Sequence, residues 1–278
     1  MGEIIVGVDG SDGSRTALRW AARTAAAQGA GLRAIAAWQY PSSAVAPGGP
    51  AKLPGPEEMD ERTCDDLRTV VREELDADAD RVDVEAGRGP AAAVLLTAAA
   101  RPGTNMLVVG ARGLGGFAGL LLGSVSQECV EHSPCPVVVL RGEPDPSDGP
   151  IVIGLDGSEG ATRALDWAID LAEATGAHIV AVHAPILGAN NAMMDAARQA
   201  LEQWSAPIGA RTVPHEMRIE PGDARTALEQ VADDTDASLL VVGTRGLGAV
   251  RGLLLGSVAG YVARYSERPI AIVPRPTG

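Results

Sequence analysis

The sequence contains two copies of one pattern, and this repeat constrains the fold more than any other feature. Residues 4–11 (IIVGVDGS) recur as residues 151–158 (IVIGLDGS), at an offset of 147. Residues 110–125 recur as residues 243–258 at an offset of 133, with 12 of 16 positions identical. Two matched segments in the same order indicate a tandem duplication of one domain.

The stretch between the copies has the composition of a linker. Residues 142–150 (GEPDPSDGP) are rich in proline and aspartate and contain no aliphatic or aromatic side chain. We therefore predict a first domain over residues 1–141, a linker over 142–150 and a second domain over 151–278. Because the two offsets differ by 14, the second copy is shorter by about that many residues.

Within each copy, short apolar segments alternate with helical ones. In the first copy the pattern predicts strands at Ile4–Val8, Leu32–Trp38, Val82–Ala86, Met106–Val109 and Val137–Leu140, and helices at Asp12–Gln28, Glu57–Ala77, Pro90–Ala100 and Ser124–His132. Most of the strands are apolar throughout, which is typical of a parallel sheet covered on both sides. We predict an α/β fold of two tandem doubly wound domains, each a five-stranded parallel sheet with helices on both faces.

A glycine-rich segment follows the fourth strand of each copy, at the edge where a doubly wound sheet binds ligands. It reads Gly-x2-Gly-x9-Gly-Ser over residues 110–124 and again over residues 243–257. Glycines let backbone N–H groups approach an anion, and a helix N-terminus favours phosphate. Tight turns are the alternative role for the glycines. Recurrence of this long spacing favours an anion site, to which Arg112 and Arg245 would add positive charge.

One aspartate, Asp9 or Asp156, ends the first strand of each copy at the same edge of the sheet. A carboxylate there would bind ribose hydroxyls or a phosphate-bound metal ion, and capping of the next helix is the alternative. Neither glycine segment contains the Gly-Lys-Ser/Thr of a P-loop or the tight Gly-x-Gly-x-x-Gly of dinucleotide-binding domains. Phosphate-transfer motors and dinucleotide-dependent dehydrogenases are therefore disfavoured.

Charge and composition exclude further classes. A net charge of −13 repels nucleic acid and anionic lipid, and eight aromatic residues are too few for a base-stacking surface. No apolar run approaches the roughly 18–20 residues of a membrane span, and the N-terminus lacks a signal-peptide pattern. Cysteines at 64, 129 and 135, an odd number without framework spacing, favour reduced thiols in a cytoplasmic protein.

Three segments together resemble the universal stress protein family, in its tandem, ATP-binding form. They are the strand ending Gly-Val-Asp-Gly-Ser at residues 7–11, the Gly-x2-Gly-x9-Gly-Ser segments, and Ser-Pro-Cys-Pro-Val-Val-Val at residues 133–139. The resemblance covers nearly the whole chain. It implies a cytoplasmic protein of stress adaptation or growth arrest that binds one ATP per domain, with Mg²⁺ as a possible companion ion, and it points to no particular protein partner.

The resemblance also implies a set of cofactor-binding residues. The triphosphate would lie on Gly110, Gly113, Gly123, Ser124 and Val125 in the first copy, and on Gly243, Gly246, Gly256, Ser257 and Val258 in the second. The nucleoside would lie against Gly7, Asp9, Gly154 and Asp156. The predicted set also includes the loop residues between the glycines, which are Ala111, Arg112, Leu114, Gly115, Gly116, Thr244, Arg245, Leu247, Gly248 and Ala249.

The second strand is where this sequence departs from the family. Members place adenine against small apolar residues there, and Ala36 fits, but His183 occupies the matching position of the second copy. His183 is interpreted as a tolerated wall residue, with a specific adenine contact as the alternative.

The residues offer little for catalysis. The four histidines share no metal-ligand spacing and none belongs to a nucleophile motif, while each copy brings one aspartate to the candidate edge. We therefore expect a nucleotide-dependent switch or binding module that is not an enzyme. A slow ATPase or an adenylate-transferring enzyme is the alternative, since fold does not decide function.

Two further expectations concern assembly and asymmetry. The last strands, Val137–Leu140 and Ile270–Val273, are apolar and would lie at exposed edges, so we expect them to pair as an internal pseudo-dimer. A homodimer of the whole chain is also expected. The longer connection at 40–56 carries Lys52, the only lysine, and would fold over the first nucleotide as a lid; a mobile surface loop is the alternative.

Overall fold

The computed structural model describes residues 2–40, 53–114, 122–142, 148–247 and 254–275. The first half contains β1 (Glu3–Gly7), α1 (Asp12–Gln28), β2 (Gly31–Trp38), α2 (Pro56–Leu75), a 3-10 helix (Asp76–Arg81), β3 (Val82–Arg88), α3 (Ala91–Ala99), β4 (Thr104–Gly110), α4 (Ser124–His132) and β5 (Val137–Leu140). The second half contains β6 (Ile151–Gly154), α5 (Glu159–Thr175), β7 (Ile179–His183), α6 (Asn191–Ala210), β8 (His215–Ile219), α7 (Ala224–Asp234), β9 (Leu239–Gly243), α8 (Ser257–Tyr265) and β10 (Ile270–Val273).

Local signals set the ends of the first helix of each half. The hydroxyl of Ser11 accepts a hydrogen bond from the backbone N–H of Ser14, and Gly29 ends α1 with φ +60°. Ser158 and Gly176 do the same for α5, with φ +76° at the glycine. Serine caps and left-handed glycines therefore fix the helices that pack beside the candidate site.

All ten strands form one sheet in the order β3-β2-β1-β4-β5-β10-β9-β6-β7-β8. Pairing is parallel within each half, and β5 pairs with β10 in the antiparallel direction, with Val138 opposite Ala271. The predicted doubly wound α/β fold and the predicted pairing of the last strands are both confirmed. The two five-stranded sheets are thereby joined into one continuous sheet.

One apolar core lies on each face of this sheet, and both cores extend across the two halves. One contains buried residues of α1, α2, α5 and α6, and the other contains those of α3, α4, α7 and α8. The central strands β5 and β10 are buried along their whole length. Because these strands are buried, the junction of the halves is part of the core. Each fully buried valine, leucine or isoleucine there stabilises the fold by about 1.5–3 kcal/mol.

Several boundaries differ from the predicted ones by one or two residues, and the ends of α2 and β3 are examples. The helix predicted over 57–77 ends at Leu75, because Asp76 adopts φ +45° and a 3-10 turn follows. The strand predicted over 82–86 continues to Arg88, in register with β2 up to Trp38. Most of the proposed lid, with Lys52, and most of the linker lie outside the described residues. None of the described helices has the length and hydropathy required to cross a membrane.

The three cysteines are free thiols in different environments, and this gives a simple chemical test. Burial raises the pKa of the Cys129 thiol to about 12 and also raises the pKa of Cys135. Since the thiolate is the reactive form, we expect iodoacetamide to modify Cys64 alone in the native protein and all three thiols after denaturation. Mass spectrometry of the labelled chain measures this, and modification of Cys129 as fast as Cys64 would contradict it.

Candidate functional site

The candidate site of each half lies where the strand order changes direction. From β1 the chain moves outward to β2 on one side, and from β4, the neighbour of β1 on its other side, it moves outward to β5. The connections that follow β1 and β4 therefore lead in opposite directions. The second half repeats this with β6 and β9. Ligands of doubly wound sheets bind at such a point. The two sites lie at opposite edges of the sheet, because β5 and β10 are antiparallel.

The first glycine of each loop permits a close approach of two backbone segments. A Cβ on Gly110 would lie 2.6 Å from the carbonyl carbon and oxygen of Gly13, in the first turn of α1. A Cβ on Gly243 would lie 2.6 Å from the same atoms of Gly160 in α5. Neither side has a flexible side chain that could move, so glycine is required here by packing alone. For this first glycine, the structure supports the alternative role given above, a tight turn of the backbone.

The aspartate at the end of the first strand holds the glycine loop in place. One oxygen of Asp9 accepts from the backbone N–H of Ser11 at 3.0 Å, and the other from that of Leu114 at 3.0 Å. Asp156 accepts equivalent bonds from Ser158 at 3.0 Å and Leu247 at 2.9 Å. A side chain on the second loop glycine would overlap the carboxylate in either half. The helix itself is capped by the following serine rather than by the aspartate.

These hydrogen bonds give Asp9 a measurable pH signature. Partial burial raises the pKa of Asp9, but the hydrogen bonds from Ser11 and Leu114 together lower it by more than burial raises it. The pKa therefore lies below its usual value. A lowered carboxyl pKa contributes stability above the unfolded-state pKa of about 3.9, and that contribution is lost as the pH falls through the folded-state pKa. We expect Asp9→Asn to lower the thermal midpoint at pH 7, with a gap that narrows below about pH 4. An equal gap at both pH values would contradict this assignment.

The helix that follows each glycine loop begins without a side-chain cap. Gly123 is the N-cap of α4 and Gly256 the N-cap of α8, whereas α1 and α5 at the same edges have serine caps. Within the described part of the chain, the first three backbone N–H groups of α4 and of α8 donate no hydrogen bond. Four N–H groups at a helix start lack intrahelical partners, and they carry the positive end of the dipole. These two helix starts therefore leave backbone N–H groups available to a ligand that accepts hydrogen bonds.

The starts of α4 and α8 each open into a cavity. The cavity of the first half, here called site one, has a volume of about 350 Å³, and that of the second half, site two, about 320 Å³. Both lie within the range of small-molecule sites. Site one is lined by Gly7, Val8, Asp9, Ser14, Ile35, Ala37, Ala91, Leu95, Val109, Gly110, Arg112, Gly113, Leu114, Gly123, Ser124, Val125 and Ser126. Site two is lined by Gly154, Leu155, Asp156, Ser158, Ala161, Val182, His183, Ala184, Ala224, Leu228, Val242, Gly243, Arg245, Gly246, Leu255, Gly256, Ser257, Val258 and Ala259.

Some predicted residues lie elsewhere. Ala111 and Thr244 do not line the cavities; their carbonyl oxygens accept from the N–H groups of Gly123 and Gly256, both at 2.7 Å, and so close the loops. Leu247 is not among the lining residues either, and it is 76% exposed. Four more of the predicted loop residues fall outside the described part of the chain, and they are Gly115, Gly116, Gly248 and Ala249.

The second strand requires a correction of one residue. Side chains alternate along a strand, and Ala36 packs with the α1–α2 core on the face away from the cavity. Its neighbours Ile35 and Ala37 line site one instead. His183 occupies the position of the second copy that matches Ala36, and it lines site two. Its Nδ1 donates a hydrogen bond to the carbonyl oxygen of Leu155 at 2.9 Å. Its ring packs edge-on against Trp204, on the face away from the apolar wall of the cavity.

Sequence reasoning missed the apolar wall of both cavities. In site one it is formed by Ile35, Ala37, Ala91 and Leu95, and in site two by Val182, Ala184, Ala224 and Leu228. The alternation of side chains along a strand and the first turn of the third helix were the available signals. The described residues contain no group of three His, Cys, Asp or Glu side chains that could hold a metal ion.

Comparison with known proteins agrees with the resemblance found in the sequence. The profile of the universal stress protein family matches residues 1–141 and 149–274. The chain belongs to the universal stress protein family. Universal stress protein Rv2623 of Mycobacterium tuberculosis (strain ATCC 25618 / H37Rv) is 32% identical over 290 residues, which cover 97% of this chain and 95% of that protein. Universal stress protein Rv1996 of the same strain is 31% identical over 309 residues, covering 98% and 95%.

Solved structures share the architecture. A universal stress protein from Archaeoglobus fulgidus DSM 4304 superimposes with a TM-score of 0.73 at 21% identity, covering 98% of each chain. A putative universal stress protein from Pseudomonas aeruginosa UCBPP-PA14 gives a TM-score of 0.67 at 18% identity, covering 98% of this chain and 92% of that one. At these identities the similarity concerns the fold.

Proposed function

We propose that each half of this universal stress protein, residues 1–141 and 151–278, is a domain that holds one molecule of ATP. The observation that carries the proposal is the combination found in both cavities. An uncapped helix N-terminus, an arginine and a group of apolar residues line the same cavity. The helix N-terminus and the arginine suit the phosphates, and the apolar wall suits an adenine ring.

In this proposal the residues of each cavity divide into two groups. The triphosphate lies on the N–H groups that begin α4 or α8, with Arg112 or Arg245 supplying charge. The nucleoside lies over Gly7 and Ile35 in site one, and over the matching Gly154 and Val182 in site two. One carboxylate per cavity is enough for Mg²⁺ that arrives on the phosphates, because such ions take few protein ligands.

We infer a binding module or nucleotide-dependent switch rather than an enzyme, acting in the cytoplasm. The aspartate of each cavity already accepts two backbone hydrogen bonds and holds the loop, which favours a binding role over that of a base. Free thiols on all three cysteines support a reducing compartment. The charge of −13 supports a small-molecule ligand rather than nucleic acid.

Incubation of the purified protein with ATP and Mg²⁺ separates the candidate functions. After removal of free nucleotide, chromatography of the denatured sample measures what was retained. The proposal expects unchanged ATP. Accumulation of ADP or AMP would instead indicate a slow ATPase or an adenylate-transferring enzyme, and retention of no nucleotide would indicate a scaffold.

A homodimer of the whole chain belongs to the same proposal. Since β5 and β10 pair with each other, the ends of the described sheet are β3 and β8, and an open sheet edge invites pairing with another strand. We expect sedimentation velocity to show a mass of twice 28.4 kDa at micromolar concentration. A monomer throughout a wide concentration range would remove this part of the proposal.

A further inference from the structure

Arg141 follows β5 at the junction of the two halves, and its side chain reaches into the second half. Its Nη2 donates to the carbonyl oxygen of Ala263 at 2.7 Å, and its Nη1 to that of Arg268 at 3.4 Å. Ala263 lies in the last turn of α8, where helix carbonyls lack intrahelical partners. A residue of the first half therefore caps the C-terminus of a helix in the second half.

The helix that Arg141 caps is the one whose other end forms site two. Helix α8 starts at Gly256 and Ser257, on the floor of that cavity, and connects the parallel strands β9 and β10. It therefore runs back across the sheet toward the amino ends of these strands. Because β5 and β10 are antiparallel, that end of α8 meets the carboxyl end of β5, which is the edge that carries site one.

Site one and the cap are connected through a short backbone segment. The N–H of Ala111, in the first glycine loop, donates to the carbonyl oxygen of Leu140 at 2.9 Å, and Arg141 is the next residue. Burial lowers the pKa of Arg141 to about 10; the negative charge of Glu229 opposes this shift, and the positive charge of Arg112 adds to it. The side chain is thus a cation at neutral pH, as the negative end of a helix dipole favours.

The second half needs this cap more than the first half does. In α4 the hydroxyl of Ser126 donates to the carbonyl oxygen of Gly110 at 2.6 Å, which fixes the start of that helix to β4. The matching residue of α8 is Ala259, which has no hydroxyl. The residue that matches Arg141 after β10 is Pro274, which has no side-chain donor. Helix α4 has this additional hydrogen bond within its own half, whereas α8, besides its packing on α7, β9 and β10, receives one from the other half.

We propose that Arg141 is a positioning residue for site two, so that nucleotide binding by the second half depends on the first. The proposal rests on the proposed function, because it names a control on one of the same two sites.

Affinity measured at each site separately tests the proposal. Gly123→Glu leaves site two alone to bind, and Gly256→Glu leaves site one. We expect Arg141→Met to weaken ATP binding about tenfold in the first background and less than twofold in the second, by calorimetry. Arg141→Lys should restore part of the loss, and Arg275→Met, a control at the exposed arginine that follows Pro274, should change neither affinity. Equal weakening at both sites would overturn the proposal.

Hydrogen exchange without nucleotide gives a reading that does not depend on ATP. Arg141→Met should speed exchange of the amides of α8 and leave those of α4 unchanged. Unchanged exchange in α8 would overturn the proposal whatever the binding data show. If α8 loosens while the unmodified protein retains no nucleotide, the proposed function fails, and Arg141 stands as the anchor of this helix.

Discussion

Gly123→Glu is expected to empty site one while site two keeps its nucleotide, and Gly256→Glu is expected to do the reverse. Each glycine begins the helix whose free N–H groups face its cavity. A glutamate there fills the space and places a negative charge beside the phosphates, and both effects oppose binding. We expect ATP affinity at the altered site to fall by at least about 100-fold, equivalent to about 2.7 kcal/mol. Calorimetry on each variant measures it.

Two matched variants separate charge from bulk. A Cβ on Gly123 would lie 3.3 Å from the carbonyl oxygen of Ala111, so Gly123→Ala requires only a small shift and should cost less than about tenfold in affinity. Gly55 is also a glycine N-cap, of α2, and has no atom within 4 Å of its Cβ position. Gly55 belongs to the connection expected to cover site one, so Gly55→Glu is a control for site two, where it should leave affinity unchanged. Full affinity in Gly123→Glu would refute the placement of phosphate at α4.

Gly110→Ala is expected to destabilise the whole fold. The added Cβ would lie 2.6 Å from backbone atoms of Gly13 and 3.0 Å from the N atom of Ser14, and backbone atoms in a packed core move little. Overpacking of this kind costs roughly 1–3 kcal/mol of the free energy of unfolding. Urea denaturation gives this value as a shift of the midpoint.

The second half offers an internal repeat of that test. Gly243→Ala places a Cβ 2.6 Å from the carbonyl of Gly160 and should cost a similar amount. Gly55→Ala, with open space around the new methyl group, should stay within about 0.5 kcal/mol of the unmodified protein. If Gly110→Ala unfolded at the same urea concentration as Gly55→Ala, the close approach of β4 to α1 would be wrong.

The elements whose ends carry local signals were predictable from sequence. Helix α1 was predicted over Asp12–Gln28 and is observed there, because Ser11 and Gly29 cap it. The last strands were also predicted at their observed bounds, since each is a short apolar run between polar or proline residues. The end of α2 was not predicted at its observed residue, because nothing in the local sequence indicates the positive φ of Asp76.

The candidate site was predictable in its backbone and less so in its side chains. The glycines and the aspartate recur at fixed spacing, so both loops could be located. The residues that form the wall of each cavity depend on which face of a strand points toward the cavity. A shift of one residue changes the assigned wall residue from Ala36 to Ile35 or Ala37. The contact from Arg141 to Ala263 joins residues far apart in sequence, and no local pattern indicates it.

Counting bound nucleotides per chain by native mass spectrometry tests the central claim most directly. After incubation with ATP, the unmodified protein should carry two adenine nucleotides per chain of 28.4 kDa. Gly123→Glu and Gly256→Glu should each carry one, and the double variant none, with the fold of all three verified by circular dichroism. A double variant that still carries two nucleotides per chain would contradict the assignment of both cavities.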